Sequence, residues 1–303
     1  MARVTYTENL QHTNATDFRL WGKNFSDALS TSGLVQTADT GQIDWGTVPF
    51  PASGGTGGYE MYAFTSAMQA TRPYFLKVEY GTSWGYANRP RLSITVCTKT
   101  DGAGGVVGLY CGAESVNNRS ILIPNASETF ISHSADDQIA ILWGVRSASS
   151  YPNACMGVLI GRPVDDAGLV VSDGLYLAFT EANSGASWNW AQFIQVPTLV
   201  QAVSNCSAGC QVIPGFVATT SRGLEIQTFR HFFSAGRPRN VPVCVSYLDA
   251  EMPPNSEFDL AVIPGVSRHY LALGGAAWAF SLGCGGASND NQARAVLAVL
   301  WEN

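Results

Sequence analysis

Charge is scarce in this chain of 303 residues: Asp, Glu, Lys and Arg together make up 13%, against roughly 25% in an ordinary soluble domain. Lys and Arg number 17 and Asp and Glu 23, for a formal net charge of −6. The acidic excess holds in both halves, and no basic stripe exists. Nucleic acid is therefore not an expected partner, because its phosphates need such a footprint. Long apolar runs are also missing. None reaches the ~18 residues of a membrane span. The longest candidate, near Leu271 to Leu282, is broken by Gly274 and Gly275. No apolar segment follows Met1-Ala2-Arg3, so neither a signal peptide nor membrane insertion is expected. The expectation is a soluble protein made in the cytoplasm.

Signatures of chemistry are missing too. There is no Gly-x-Ser-x-Gly nucleophile elbow and no phosphate loop ending in Gly-Lys-Ser/Thr. None of His12, His133, His231 and His269 lies within a metal-ligand spacing of another His. Cys206 and Cys210 form one close pair with no second pair at a zinc-type distance. The seven cysteines are scattered and odd in number, which suits reduced, mostly buried thiols acting as small apolar residues. Asp249 and Glu251, Asp136-Asp137 and Asp165-Asp166 are the close carboxylate pairs. Facing carboxylates can hydrolyse glycosides, but these sit beside turn residues and read as solvated turns. No catalytic residue, cofactor or metal is expected, and the chain is not expected to be an enzyme. Heptads, collagen-like glycine periods and internal repeats are absent, which excludes the two simplest long-fibre shafts.

What the chain does have is apolar residues at 46%, aromatics at 11% and 31 glycines. Phe18, Trp21, Phe25, Ala28 and Leu29 recur at helical spacing, with Thr16 available to cap and Gly33 placed to stop the helix. Beyond Tyr59 the period becomes two. Leu76, Val78 and Tyr80 alternate with Lys77 and Glu79; Leu92, Ile94 and Val96 with Ser93 and Thr95. The pattern recurs at Ile139, Ile141 and Trp143; at Leu175, Leu177 and Phe179; at Val241, Val243 and Val245; and at Phe258, Leu260 and Val262. Such alternation predicts half-buried strands. The stretch 294–301 is apolar on both faces, which predicts a central strand. Turn clusters such as Asp101-Gly102-Ala103-Gly104-Gly105 and Pro253-Pro254-Asn255-Ser256 separate the runs. The fold class expected is mainly β: antiparallel β-sandwich sheets with one short N-terminal helix. Three regions are expected: a helix and linker over 1–57, a β-sandwich over 58–196, and a second β-rich region over 197–303, either separate from the β-sandwich or continuous with it. Gly54-Gly55-Thr56-Gly57-Gly58 reads as the flexible linker.

Two sets of aromatics are candidate contact sites. Phe18, Trp21 and Phe25 form a stripe that either docks on a partner protein or packs on the chain's own sheet. Trp84 and Tyr86, and Trp188 and Trp190, flank single residues in expected loops. Loop aromatics either anchor protein contacts or stack on sugars.

Several ordered segments resemble a family of tailed-bacteriophage virion structural proteins of the tail, fibre or baseplate type. They are Asp17-Phe-Arg-Leu-Trp-Gly22, the stretch from Gly33 to Trp45, Gly58-Tyr-Glu-Met-Tyr-Ala-Phe64, and the stretch from Met68 to Gly81. Leu92-Ser-Ile-Thr-Val96, Asp101-Gly-Ala-Gly104, Phe229 to Phe233, Arg237-Pro-Arg-Asn240 and His269-Tyr-Leu-Ala-Leu-Gly274 continue it. Cys97, Cys111, Cys155 and Cys206 depart from it, standing where small or apolar residues are expected. The resemblance implies a place in the virion and contacts with other virion proteins. Homo-oligomers, trimers or hexamers, are the natural expectation for symmetric particles. It implies no active-site residues. Recognition of host-surface glycan, or decoration of a capsid, are the alternatives.

Overall fold

A computed structural model describes residues 2–7, 14–83, 86–112, 121–122, 128–143, 156–162, 164, 169–170, 174–180, 188–194, 217–219, 225–232, 238–247, 257–263, 266–272 and 296–301. These residues form one α-helix and eighteen strands. In chain order they are β1 (Ala2–Thr7), α1 (Ala15–Thr31), β2 (Val35–Gln36), β3 (Thr56–Ala63), β4 (Phe75–Ser83), β5 (Tyr86–Thr100) and β6 (Val106–Gly112). There follow β7 (Ile121–Leu122), β8 (Glu128–His133), β9 (Ile139–Trp143), β10 (Met156–Gly161), β11 (Gly174–Thr180) and β12 (Trp188–Ile194). The last are β13 (Val217–Thr219), β14 (Glu225–Phe232), β15 (Pro238–Tyr247), β16 (Glu257–Ile263), β17 (Val266–Ala272) and β18 (Val296–Leu300). The fold is mainly β, its strands pair antiparallel throughout, and it carries one helix, as expected.

Helix α1 forms where the aromatic stripe predicts it. The capping residue is Asn14 rather than Thr16. Its Oδ1 accepts from the backbone amides of Thr16 and Asp17 at 2.8 and 3.0 Å, two of the donors a helix start leaves unpaired. Asp17 adds negative charge in the first turn. Gly33 follows the end with φ +105°, a conformation that costs glycine nothing.

The strands build three sheets. Sheet A runs β1-β8-β9-β10-β11-β12, sheet B runs β2-β3-β4-β5-β6 with β7 on β5, and sheet C runs β13-β14-β15-β18-β17-β16. Between A and B lies one core. Sheet B supplies Tyr62, Leu76, Val78, Tyr80, Leu92, Ile94 and Val96; sheet A supplies Ile131, Ile139, Ile141, Trp143, Val158 and Ile160. The α1 stripe joins them.

Sheet A is buried on its second face as well. Ala140, Leu142 and Leu159 are at most 1% exposed, although their alternation places them opposite the shared core. Sheet C covers that side: Trp301, just after β18, stacks on Phe130 of β8 at 4.0 Å between ring centroids. Half-burial therefore describes β4, but β9 is buried at all five positions. The strand expected to be central, β18, does lie inside its sheet between β15 and β17.

The N-terminal segment contributes two strands to the sheets. Strand β1 pairs with β8 over six residues, and β2 pairs with β3. The glycine run is not a flexible linker either. Gly57 and Gly58 lie in β3, where an added Cβ would stand 2.9 Å from the Phe18 ring and 2.9 Å from Ile43. These glycines permit close packing. Gly22 does the same inside α1: its Cβ would meet the Trp45 ring at 1.9 Å. Ala in a helix interior normally gains ~1 kcal/mol over Gly. Here Gly22→Ala should instead lose about 1–3 kcal/mol from overpacking, read as a lower denaturation midpoint in urea.

Candidate functional site

The helical stripe is not a docking surface. Phe18, Trp21 and Phe25 are 0, 1 and 0% exposed. They are consumed by Tyr80, Trp45, Phe50 and Trp143, with ring centroids 5.7 to 6.1 Å apart. The reason is that α1 fills the space between two sheets, so its apolar face has no area left for a partner. Of the expected loop aromatics, Trp84 lies outside the described residues. Tyr86 opens β5 opposite Ser83, and Trp188 and Trp190 lie on β12 opposite Thr180 and Ala178. All three are strand residues rather than loop residues, one in sheet B and two in sheet A. Asp165-Asp166, Asp249, Glu251, the Cys206–Cys210 pair and the stretch 197–209 also lie outside the described residues. Cys97 is buried and free, and burial pushes its thiol up to about 11, as a structural cysteine requires.

Three clusters of polar side chains stand out among the described residues. The first centres on Glu60, 2% exposed in the core between sheets A and B. Its Oε1 accepts from Ser26 Oγ at 2.8 Å and from Trp45 Nε1 at 3.1 Å. Its Oε2 accepts from the phenols of Tyr62 at 2.8 Å and Tyr80 at 2.5 Å. Helix, loop, β3 and β4 thus meet on one carboxyl group. Burial first, then the Glu60 charge, raises the Tyr62 phenol above its ordinary value. Tyr80 is raised well above its own by burial, then by Tyr62 and Glu60. Both stay protonated and donate. The sequence held a signal for this: Glu60 shares its strand face with Tyr62, a core position by alternation.

The second cluster centres on Asp137, expected in a solvated turn with Asp136. Asp137 is 1% exposed, with φ 61°. Its Oδ1 accepts from the backbone amides of Thr65 and Ser66 at 3.2 and 3.0 Å. His133 Nε2 and Arg162 Nε each lie 3.6 Å from its oxygens. His133 donates from Nδ1 to the Ser32 carbonyl at 3.0 Å. Arg162, wholly buried, donates to the Arg72 carbonyl at 2.8 Å and lies over the Tyr74 ring at 4.2 Å. Burial alone would raise the Asp137 carboxyl; the nearby His133 ring and the bonds from Ser66 outweigh it and hold it below 3.8. Asp136 points the other way, to Ser134 and to Arg268 of β17 at 2.5 Å. Nothing in the sequence separates the two aspartates. What separates them is the left-handed turn at Asp137, which puts their side chains on opposite sides.

The third cluster joins sheets A and C. His269 of β17 lies between Asp259 and Glu257 of β16, with ring nitrogens 2.8 and 3.0 Å from their oxygens. Glu257 also accepts from Trp301 Nε1 at 3.0 Å and lies 3.7 Å from Arg3 of β1.

Among the described residues, no group of three His, Cys, Asp or Glu is arranged to hold a metal ion. No helix among them is long and apolar enough to cross a membrane. Comparison with family models, with curated proteins and with solved structures found no match.

Proposed function

We propose that the chain is a non-enzymatic structural component of a tailed-phage particle. In this reading it is a tail, baseplate or fibre protein that assembles by symmetric contacts with its own copies and with other virion proteins. The observation that carries the reading is where the chain places its few charges. Among the described residues the buried ionisable groups Glu60, His133, Asp137, Arg162 and Arg268 bond to backbone, to rings or to one another. An enzyme holds such groups toward a substrate; a scaffold uses them as joints. The segments that carry the family resemblance supply the first joint, since Trp45, Glu60, Tyr62 and Tyr80 all come from them. A charge fraction of 13% also suits a chain that works in permanent contact with others rather than alone in solution.

Light scattering of the purified full chain over a concentration series tests this. A stable trimer or hexamer is the expected mass. A monomer at every concentration would remove self-assembly from the proposal. Binding on an array of bacterial surface glycans would transfer the chain to the receptor-recognition reading.

A further inference from the structure

The seam between sheets A and C holds its ionisable groups in a geometry that depends on one proton. His269 Nδ1 lies 2.8 Å from Asp259 Oδ1, and Nε2 lies 3.0 Å from Glu257 Oε2. An ionised carboxylate only accepts hydrogen bonds, so both ring nitrogens must donate. Only imidazolium carries two N–H groups; neutral imidazole carries one. Glu257 is the shared member of the cluster. Its Oε1 accepts from the Trp301 indole, and its Oε2 faces Arg3. Arg3 also lies over the Trp301 ring at 4.6 Å, and Trp301 stacks on Phe130 with the planes 19° apart. One carboxylate therefore connects β16 and β17 to the residue after β18 and to β1 of the neighbouring sheet.

We propose that His269 is a proton-operated latch on this seam. As imidazolium it holds Glu257 in place for Trp301 and Arg3. On losing its proton it releases one carboxylate and loosens sheet C from sheet A. This goes beyond the proposed role in a particle and does not depend on it.

The charged groups facing the ring are Asp259 and Glu257 from β16 and, through Glu257, Arg3 from β1. Strand β18 has no ionisable residue, β8 contributes Phe130, and the adjacent Arg268 is paired with Asp136. Burial works to lower the ring's pKa, but Glu257 and Asp259 outweigh it and hold it above 6.5. The bond from His269, then that from Trp301, holds Glu257 below 4.5. A raised histidine contributes its full stability below 6.5 and loses it as pH rises through the folded value. A lowered carboxylate contributes above 4.5 and loses its share as pH falls through its folded value. The latch is thus at full strength between 4.5 and 6.5.

Two measurements on the full chain test it together: NMR titration of the histidine rings, and amide hydrogen exchange in residues 2–7 and 296–301. His269→Gln identifies the His269 signal by its loss. The ring should titrate above 6.5 and move down in Asp259→Asn. Exchange at the seam should be about fivefold slower in the wild type than in His269→Gln near about pH 5.5, and equal by about pH 9. Asp259→Asn keeps the ring, and with it the test, should His269→Gln not fold. A ring titrating at or below 6.5 overturns the latch. So does seam exchange that is the same in wild type and variants at the lower pH.

Discussion

Glu60→Ala should cost the fold about 5 kcal/mol or more, enough to unfold a chain of ordinary stability. The four groups that donate to Glu60 are a serine hydroxyl, an indole and two phenols. They come from the helix, a loop and two strands, so they cannot move together to find new partners. A buried donor left without an acceptor costs about 1–3 kcal/mol. The Trp45 indole is the worst placed, because an N–H can only donate. The lost side chain also leaves a cavity beside Tyr62 and Tyr80, both fully buried. Glu60→Gln separates hydrogen bonding from volume. Its amide oxygen can still accept from two donors, and hydroxyls on the amide side can turn to accept from the NH2 group. It should lose about 1–3 kcal/mol. Urea unfolding, followed by tryptophan fluorescence, gives both numbers. Equal stability of Glu60→Ala and wild type would mean that the four donors reach water, and the core between sheets A and B would not be closed as described.

Glu60 also shows how far the sequence alone reaches. Period-two alternation located β4, β5, β9, β15 and β16, because a half-buried strand needs that pattern. It could not show that sheet A is covered twice. Ala140 and Leu142 of β9 are apolar enough to be buried and small enough to be tolerated outside, so the second face depends on where sheet C docks. The helix was legible from Phe18 to Leu29, but its aromatics left the partner open; the glycines decide it. Gly22, Gly57 and Gly58 look like a helix defect and a linker in one dimension. In three dimensions each is the gap into which Trp45, Phe18 or Ile43 fits. The polar hubs were hidden for a related reason. A carboxylate at a core position, or the second of two aspartates, becomes informative only when its donors, up to 72 residues away in sequence, are placed around it.

Asp137→Ala should cost about 3–5 kcal/mol, because it strands a buried cation. Arg162 is 0% exposed and faces no carboxylate other than Asp137 among its described partners. The change also removes the acceptor that holds the amides of Thr65 and Ser66, and it puts alanine at φ 61°, a left-handed conformation that costs it about 1–2 kcal/mol. Asp137→Asn isolates the charge. Asparagine tolerates that backbone and keeps an oxygen for both amides, so the expected order of stability is wild type, Asn, Ala. Asp137→Gly relieves the backbone without restoring any bond, and should fall between Asn and Ala. The charge has a pH signature of its own. A carboxylate held below its ordinary value contributes stability above 3.8, and that contribution is lost as pH falls through the folded value. The wild type should therefore lose stability steeply below 3.8, and Asp137→Asn should show a shallower acid limb with a lower plateau near neutrality. Parallel acid limbs would place the charge of Asp137 outside the forces that hold Arg162, and would leave backbone anchoring of residues 65 and 66 as its whole contribution.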